Sequence, residues 1–352
     1  MRDFAPDAPA QGRFHHFYFR IRFRLPTFVS VTKTCSFMKI IGTGSALPKK
    51  VVTNGDLESF LDTTDDWIVT RTGIHSRHVI SDERLEDLGR DAALRALADA
   101  GRKPEDIDLL LCSNVVNEYM TPGLGCIIAA AVGLHCPCID INCACPGFIY
   151  ALDIADSYFK VGKVKNVLIV CAEEPTRMTS WQDRATCVLF GDGAGAVVLS
   201  EGDGVRAVRI GARPDPDKIW QFRPLEPTPF VTKSETGVPL QMQGREVFRF
   251  AVTASVEDIK GVLADAGLGV EDVDYFMIHQ ANLRIVEGIR NRLGAPESKF
   301  PTNIGDHGNS SSASCPILLD ECKRKGLFKK GDKLIFSAFG AGLLTAAALV
   351  EW

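Results

Sequence analysis

Residues 97–114, LADAGRKPEDIDLLLCSN, align without gaps to residues 263–280, LADAGLGVEDVDYFMIHQ, with eight identities in eighteen positions. Each copy reads as a helix end, a Gly turn, an acidic cap and a buried strand. A second echo follows each copy: LFGDGAGAVVLSE (189–201) and AFGAGLLTAAALVEW (338–352) are both Gly-rich turns running into a small-residue strand. Two copies of one α/β unit pack as pseudo-twofold halves with the site between them. Short apolar runs at 109–112, 167–171, 275–278 and 333–336 alternate with longer helical patterns, which predicts a largely parallel sheet covered by helices. The expected division is an extension over 1–37 outside the fold, a first half over 38–210 and a second over 211–352.

Composition removes several function classes. With 45% hydrophobic and 24% charged residues among 352, the chain has material for a large core. A net charge of -4 and a pI near 6.0 provide no basic field for nucleic acid. No apolar run approaches the roughly 18 residues of a membrane span, so a soluble protein is expected. Eleven cysteines, an odd number mostly set in apolar runs, read as reduced thiols of a cytoplasmic protein. The pairs Cys136/Cys138 and Cys143/Cys145 lack the second paired set of a structural zinc site, so no metal is expected. Within 1–37, Arg20, Arg22 and Arg24 interrupt any signal-peptide core, and Asp3 and Asp7 argue against a transit peptide.

Three positions carry candidate chemistry. Cys145 falls where an apolar strand meets the long amphipathic helix pattern of Ile149, Leu152, Ile154, Ala155 and Phe159. Pro146 suits the first helical turn, and a thiol at a helix N-terminus is expected to have a lowered pKa. His279 closes the apolar run of the second repeat, at the position of Ser113 in the first. Asn309 lies in GDHGNSSSAS, a Gly/Asn/Ser turn entering a helix near Ser312. His307 in the same turn is a rival base that spacing alone does not exclude.

From Met38 to Trp352 the chain resembles the β-ketoacyl-acyl-carrier-protein synthase III family of the thiolase superfamily. The resemblance rests on DDWIVTRTGI (65–74), CACPGF (143–148), DRATCVLFGDGAGA (183–196), GREVFRFAV (244–252), HQANLRI (279–285), GDHGNSSSAS (305–314) and FGAG (339–342), in the family's order. It implies a thiolase-like α/β fold of two duplicated halves in five αβαβα layers. It also implies an acyltransferase that condenses a short acyl-CoA with malonyl-acyl-carrier protein to begin fatty acid biosynthesis. Cys145, His279 and Asn309 become the catalytic trio, and the backbone N–H groups of Cys145 and Ala341 an oxyanion hole. Trp67, Arg71, Arg184 and Asn282 become CoA contacts, Trp67 and Arg184 taking the two faces of the adenine. Arg249 and Arg284 would meet the acyl carrier protein, and Met120 would reach the partner's acyl pocket in a homodimer. No cofactor is implied, since acyl-CoA and malonyl-carrier protein are substrates.

Pro146 stands where the family usually has a small residue, and GLLTAAA (342–348) replaces a stretch more often containing Phe, Thr and Trp. The second departure lies beside the oxyanion turn and leaves the primer open. The nearest rivals are a starter-unit synthase of secondary metabolism and a hydroxymethylglutaryl-CoA synthase relative. The latter needs an acidic base, for which Glu118, Glu173 and Glu174 are candidates. A non-catalytic scaffold of the same fold would have no need of all three trio side chains.

Overall fold

The repeat seen in the sequence is a repeat of strands. The structure, a computed structural model, describes residues 37–224, 227–230 and 236–352, so the extension expected over 1–37 lies outside the described residues except for Phe37. Nine strands build two sheets: β1 (Met38–Ala46), β2 (Leu109–Ser113), β3 (Cys138–Ile141), β4 (Asn166–Glu173), β5 (Gly193–Glu201), β6 (Val205–Ala212), β7 (Tyr275–Ile278), β8 (Lys333–Gly340) and β9 (Leu344–Glu351). The first sheet runs β1-β5-β4-β2-β3 and the second β6-β9-β8-β7. In both, the first two pairings are antiparallel and the next is parallel. Register repeats as well: Leu109 faces Val167 in the first sheet, and Tyr275 faces Leu334 in the second.

Two expectations are corrected. The sheets are mixed rather than largely parallel, because a turn as short as the one between Gly340 and Leu344 can only fold its strands back antiparallel. The division at 210/211 cuts β6, which pairs along its length with β9; the chain passes between sheets at Gly202–Gly204 instead.

Seven helices matter to the site: α1 (Asp65–Thr72), α2 (Leu85–Ala100), α3 (Leu124–Val132), α4 (Gly147–Lys160), α5 (Gly244–Asp265), α6 (Leu283–Leu293) and α7 (Ser314–Arg324). Helices α2 and α3 cover the outer face of the first sheet, and α5 and α6 that of the second. Helices α4 and α7 lie between the sheets and touch both, completing five layers. This explains why α4 is apolar on more than one stripe, with Phe148, Ile149, Ala151, Leu152, Ala155 and Phe159 all buried. Phe148 meets Phe336 of β8 edge-to-face, with centroids 5.6 Å apart. That joins the helix after Cys145 to the sheet of the other half. Burying each such side chain stabilises by about 2–3 kcal/mol, so the helix start is anchored from both sides.

Candidate active site

The chain leaves β3 at Ile141 and turns through Ala144, which holds a left-handed φ of 48°. Cys145 follows, then Pro146 as the N-cap of α4. Pro146 is therefore the cap rather than a first-turn residue, and Cys145 stands one position before it. Burial pushes the Cys145 thiol up to about 12, although the residue is part-exposed to the cavity it lines. The expected lowering is thus reversed: among the described residues no cation stands beside the thiol, and desolvation outweighs the partial charge of a helix end.

Close approach fixes the surroundings of the thiol. A Cβ added to Gly147 would lie 2.0 Å from Ser113 Oγ, and one added to Gly340 would lie 2.9 Å from the Cys145 nitrogen. The turn after β8 therefore lies directly on the Cys145 backbone, which brings Ala341 to the same cavity as the thiol.

His279 follows β7 and its N–H donates to the Ser337 carbonyl at 2.8 Å, extending the strand pairing by one residue. Its Nδ1 lies 2.6 Å from Ser314 Oγ at the start of α7, while Nε2 is buried without a partner among the described residues. Burial lowers its pKa to about 3, so the ring is neutral. The tautomer in which Ser314 donates to Nδ1 leaves the proton on Nε2, where it is a free donor. Phe339 meets the ring edge-to-face at 5.4 Å and fixes its plane.

Asn309 is sewn to the other half by its backbone: its N–H donates to the Leu189 carbonyl at 2.8 Å and its carbonyl accepts from the Gly191 N–H at 3.2 Å. Its side-chain oxygen accepts from the Ser311 N–H at 2.9 Å, which commits the oxygen and leaves the amide nitrogen as the available donor.

Cys145, His279, Asn309 and Ala341 line one cavity of about 750 Å³, together with Trp67, Arg71, Arg184 and Asn282. Cys145 comes from one half and His279 and Asn309 from the other, as the repeat suggested. The cavity reaches the surface at Arg184 and Phe248, both exposed. The Arg71 and Arg184 guanidinium carbons stand 4.5 and 5.2 Å from the centroid of the Trp67 ring. Arg184 also donates to the Asp62 carbonyl and carboxylate. Asn282 caps α6 by accepting from the Arg284 N–H at 2.9 Å and donates to the Arg71 carbonyl at 3.0 Å. Arg249 is exposed, and Arg284 lies 6.0 Å from the Phe248 ring at the rim; neither lines the cavity. Met120 is 77% exposed and also lies outside it.

The rivals separate on geometry. His307 is held by Glu321 at 2.5 Å, beside the His78 ring, and does not line the cavity. Glu118 pairs with Arg84 at 2.9 Å and Glu174 with Arg177 at 2.8 Å. Glu173 alone sits behind the nucleophile, bonded to Ser311 and Ser312. Sequence reasoning missed the roles of Ser311, Ser312 and Ser314. Their signal was the serine run directly after Asn309.

Comparison with known proteins identifies the family. Residues 139–214 match the model of 3-oxoacyl-[acyl-carrier-protein] synthase III, and residues 263–352 match that of its C-terminal part. The chain is 41% identical over 321 residues to a β-ketoacyl-[acyl-carrier-protein] synthase III of Clostridium acetobutylicum, covering 90% of this chain and 98% of that one. A relative of the same name from Xanthomonas campestris is 40% identical over 320 residues, covering 90% and 98%. The crystal structure of 3-oxoacyl-[acyl-carrier-protein] synthase III from Aquifex aeolicus superposes with a TM-score of 0.83 at 39% identity, covering 90% of this chain and all of that one. The priming β-ketosynthase of the R1128 polyketide pathway gives a TM-score of 0.83 at 36% identity, covering 90% and 96%. With its thiolase-like fold and its close match to these relatives, the chain belongs to the β-ketoacyl-[acyl-carrier-protein] synthase III family of condensing acyltransferases.

Proposed function

We propose that the Cys145 thiol accepts a short acyl group from acyl-CoA and that His279 and Asn309 drive decarboxylative condensation with malonyl-acyl-carrier protein. The supporting observation is the shared cavity, in which a thiol from one half meets two hydrogen-bond donors from the other. In the first stage, Cys145 Sγ attacks the thioester carbonyl and CoA leaves as its thiol. The tetrahedral oxyanion is stabilised by the N–H groups of Cys145 and Ala341. In the second, His279 Nε2–H and the Asn309 amide donate to the malonyl thioester carbonyl. They stabilise the enolate as CO2 departs, and the carbanion attacks the acyl-cysteine. A neutral imidazole suits this role, because it donates without surrendering a proton to the enolate.

Trp67 and Arg184 take the adenine of CoA between ring and guanidinium, with Arg71 and Asn282 shaping the entrance. Since a stacked ring needs about 3.5 Å on each side, Arg184 swings away from Trp67 and Asp62 when CoA enters. Arg249 and Arg284, exposed beside the rim, present cations to an acidic carrier protein. We assign the chain to the cytoplasm on its free cysteines, which suit a reducing compartment; separately, no helix among the described residues is long and apolar enough to cross a membrane. A homodimer is supported by β3, an edge strand available for pairing with a second copy, and by Met120, whose exposed side chain would enter the partner's pocket. The polyketide priming relative supports a second reading, in which the product feeds secondary metabolism rather than fatty acids.

The test is intact-protein mass spectrometry after exposure to a panel of acyl-CoAs, followed by malonyl-carrier protein. A thioester on Cys145 that is discharged as a 3-oxoacyl product is expected. No product with any short acyl-CoA refutes the reading.

A further inference from the structure

Glu173 ends β4 at 1% exposure, and no salt bridge holds it among the described residues. Its Oε1 accepts from Ser312 Oγ at 2.6 Å and Ser311 Oγ at 3.2 Å, and its Oε2 from the Val115 N–H at 3.1 Å. Ser113 Oγ lies 2.9 Å behind Ser312 Oγ. All three direct partners donate, an arrangement that favours a carboxylate over a carboxylic acid.

Ser311 holds a left-handed φ of 52°. A side chain there is strained by about 1–2 kcal/mol, and such strain at a site calls for a reason. The conformation sets Ser311 Oγ between Glu173 and the nucleophile, 3.7 Å from Cys145 Sγ. A hydroxyl that donates its one proton to Glu173 turns lone pairs toward the thiol.

We propose that Ser311 and Glu173 are the proton acceptor for Cys145 during acylation. The S–H bond breaks as its proton passes to Ser311 Oγ, the Ser311 proton passes to Glu173 Oε1, and Sγ bonds to the thioester carbonyl carbon. When the bond from that carbon to the CoA sulfur breaks, the proton returns through Ser311 to the departing CoA thiolate. The first stage is then proton-neutral. Ser311 touches the reacting sulfur and is a catalytic residue, whereas Glu173 and Ser312 act through it as positioning residues.

Electrostatics are consistent with a concerted transfer. Burial pushes the Glu173 carboxyl up to about 7, within the range useful to a general base. Burial raises the thiol as well, which favours transfer of its proton as the sulfur attacks. The titratable groups interacting with Glu173 are the thiols of Cys112, Cys145 and Cys171; its other neighbours from the β2 end and the Ser311–Ala313 turn are neutral.

The proposal rests on Cys145 as acyl acceptor, so its test separates thiol activation from acyl transfer. Alkylation of Cys145 by iodoacetamide, followed by mass spectrometry of its peptide, is measured against pH in the unmodified chain, Glu173→Gln and Ser311→Gly. Glycine suits the left-handed backbone at 311, so this variant loses the hydroxyl without added strain. In the unmodified chain the rate should rise with pH and level off above about 7. Both variants should lose that inflection, and each should acylate about 10²-fold more slowly, without additivity in the double variant. A wild-type pH profile in Ser311→Gly overturns the relay even where Glu173→Gln fails to fold. Normal alkylation with no acylation of the unmodified chain overturns the acyl-acceptor reading instead.

Discussion

Replacing Gly340 by alanine tests how closely the oxyanion turn is held to the nucleophile. The new Cβ would lie 2.8 Å from Pro146 Cδ, 2.9 Å from the Cys145 nitrogen and 3.2 Å from Cys145 Cβ, whereas ordinary contact begins at 3.4 Å. Two backbones must therefore part by about 0.5 Å, and no flexible side chain is there to absorb it. Donors to an oxyanion work at roughly 2.7–3.1 Å, so this displacement exceeds the width of the working range. Acylation by acetyl-CoA should fall about 10²-fold, approaching 10³-fold if the Ala341 donor is lost. Overpacking should also lower stability by about 1–3 kcal/mol. Rapid-quench mass spectrometry measures acylation, and iodoacetamide labelling of Cys145 checks that the thiol is still reachable. Acylation within about threefold of the unmodified chain would refute the argument that Ala341 N–H stabilises the oxyanion.

Other perturbations reach different parts of the site. His279→Ala and Asn309→Ala should still form the acyl-enzyme but lose decarboxylation by about 10²-fold or more, read from CO2 release; equal loss of acylation would contradict the division of roles. Because burial lowers the His279 pKa to about 3, decarboxylation by preformed acyl-enzyme should show no acid limb near the ordinary value of 6.5. For stability the sign follows: the unfolded chain takes up a proton on His279 below about 6.5 that the folded chain refuses, so stability contributed by neutral His279 is present above that pH and declines as pH falls. His279→Gln should flatten that part of a denaturation-against-pH curve. Asp62→Ala should lower the KM for acyl-CoA by up to about fivefold, since it frees Arg184 from an exposed pair of at most about 1 kcal/mol. Arg77 is fully buried and donates to the Val52 and Val188 carbonyls and Asn54 Oδ1, so Arg77→Ala should destabilise by about 3 kcal/mol in chemical denaturation.

Much of this was legible because repetition carries long-range information. Matching 97–114 to 263–280 located two equivalent strands, with His279 at the end of the second, while the choice of His279 over His307 came from the family resemblance. The motifs then brought Cys145 and Asn309 to one cavity. What the sequence hid was contact across halves. Nothing local says that Glu173, the last residue of an apolar strand, lies against serines 138 and 139 positions away. Nor does a strand-to-helix junction reveal how dry the Cys145 thiol is, so the helix end was given too much weight. The parallel-sheet expectation failed because alternating runs do not encode direction, which short Gly-rich connections decide.

The matched strands have one further consequence. By register, the last residue of β2 in one copy corresponds to the residue after β7 in the other, so Ser113 stands where His279 stands, and Glu173 where Gly340 stands. Equal places hold an acid in one copy and an empty side chain in the other. Two identical halves joined symmetrically would put a carboxylate, or a bare glycine, at both. Only unlike copies can set a proton acceptor behind the sulfur and leave room in front of it, and the chemistry of this chain therefore depends on a broken symmetry.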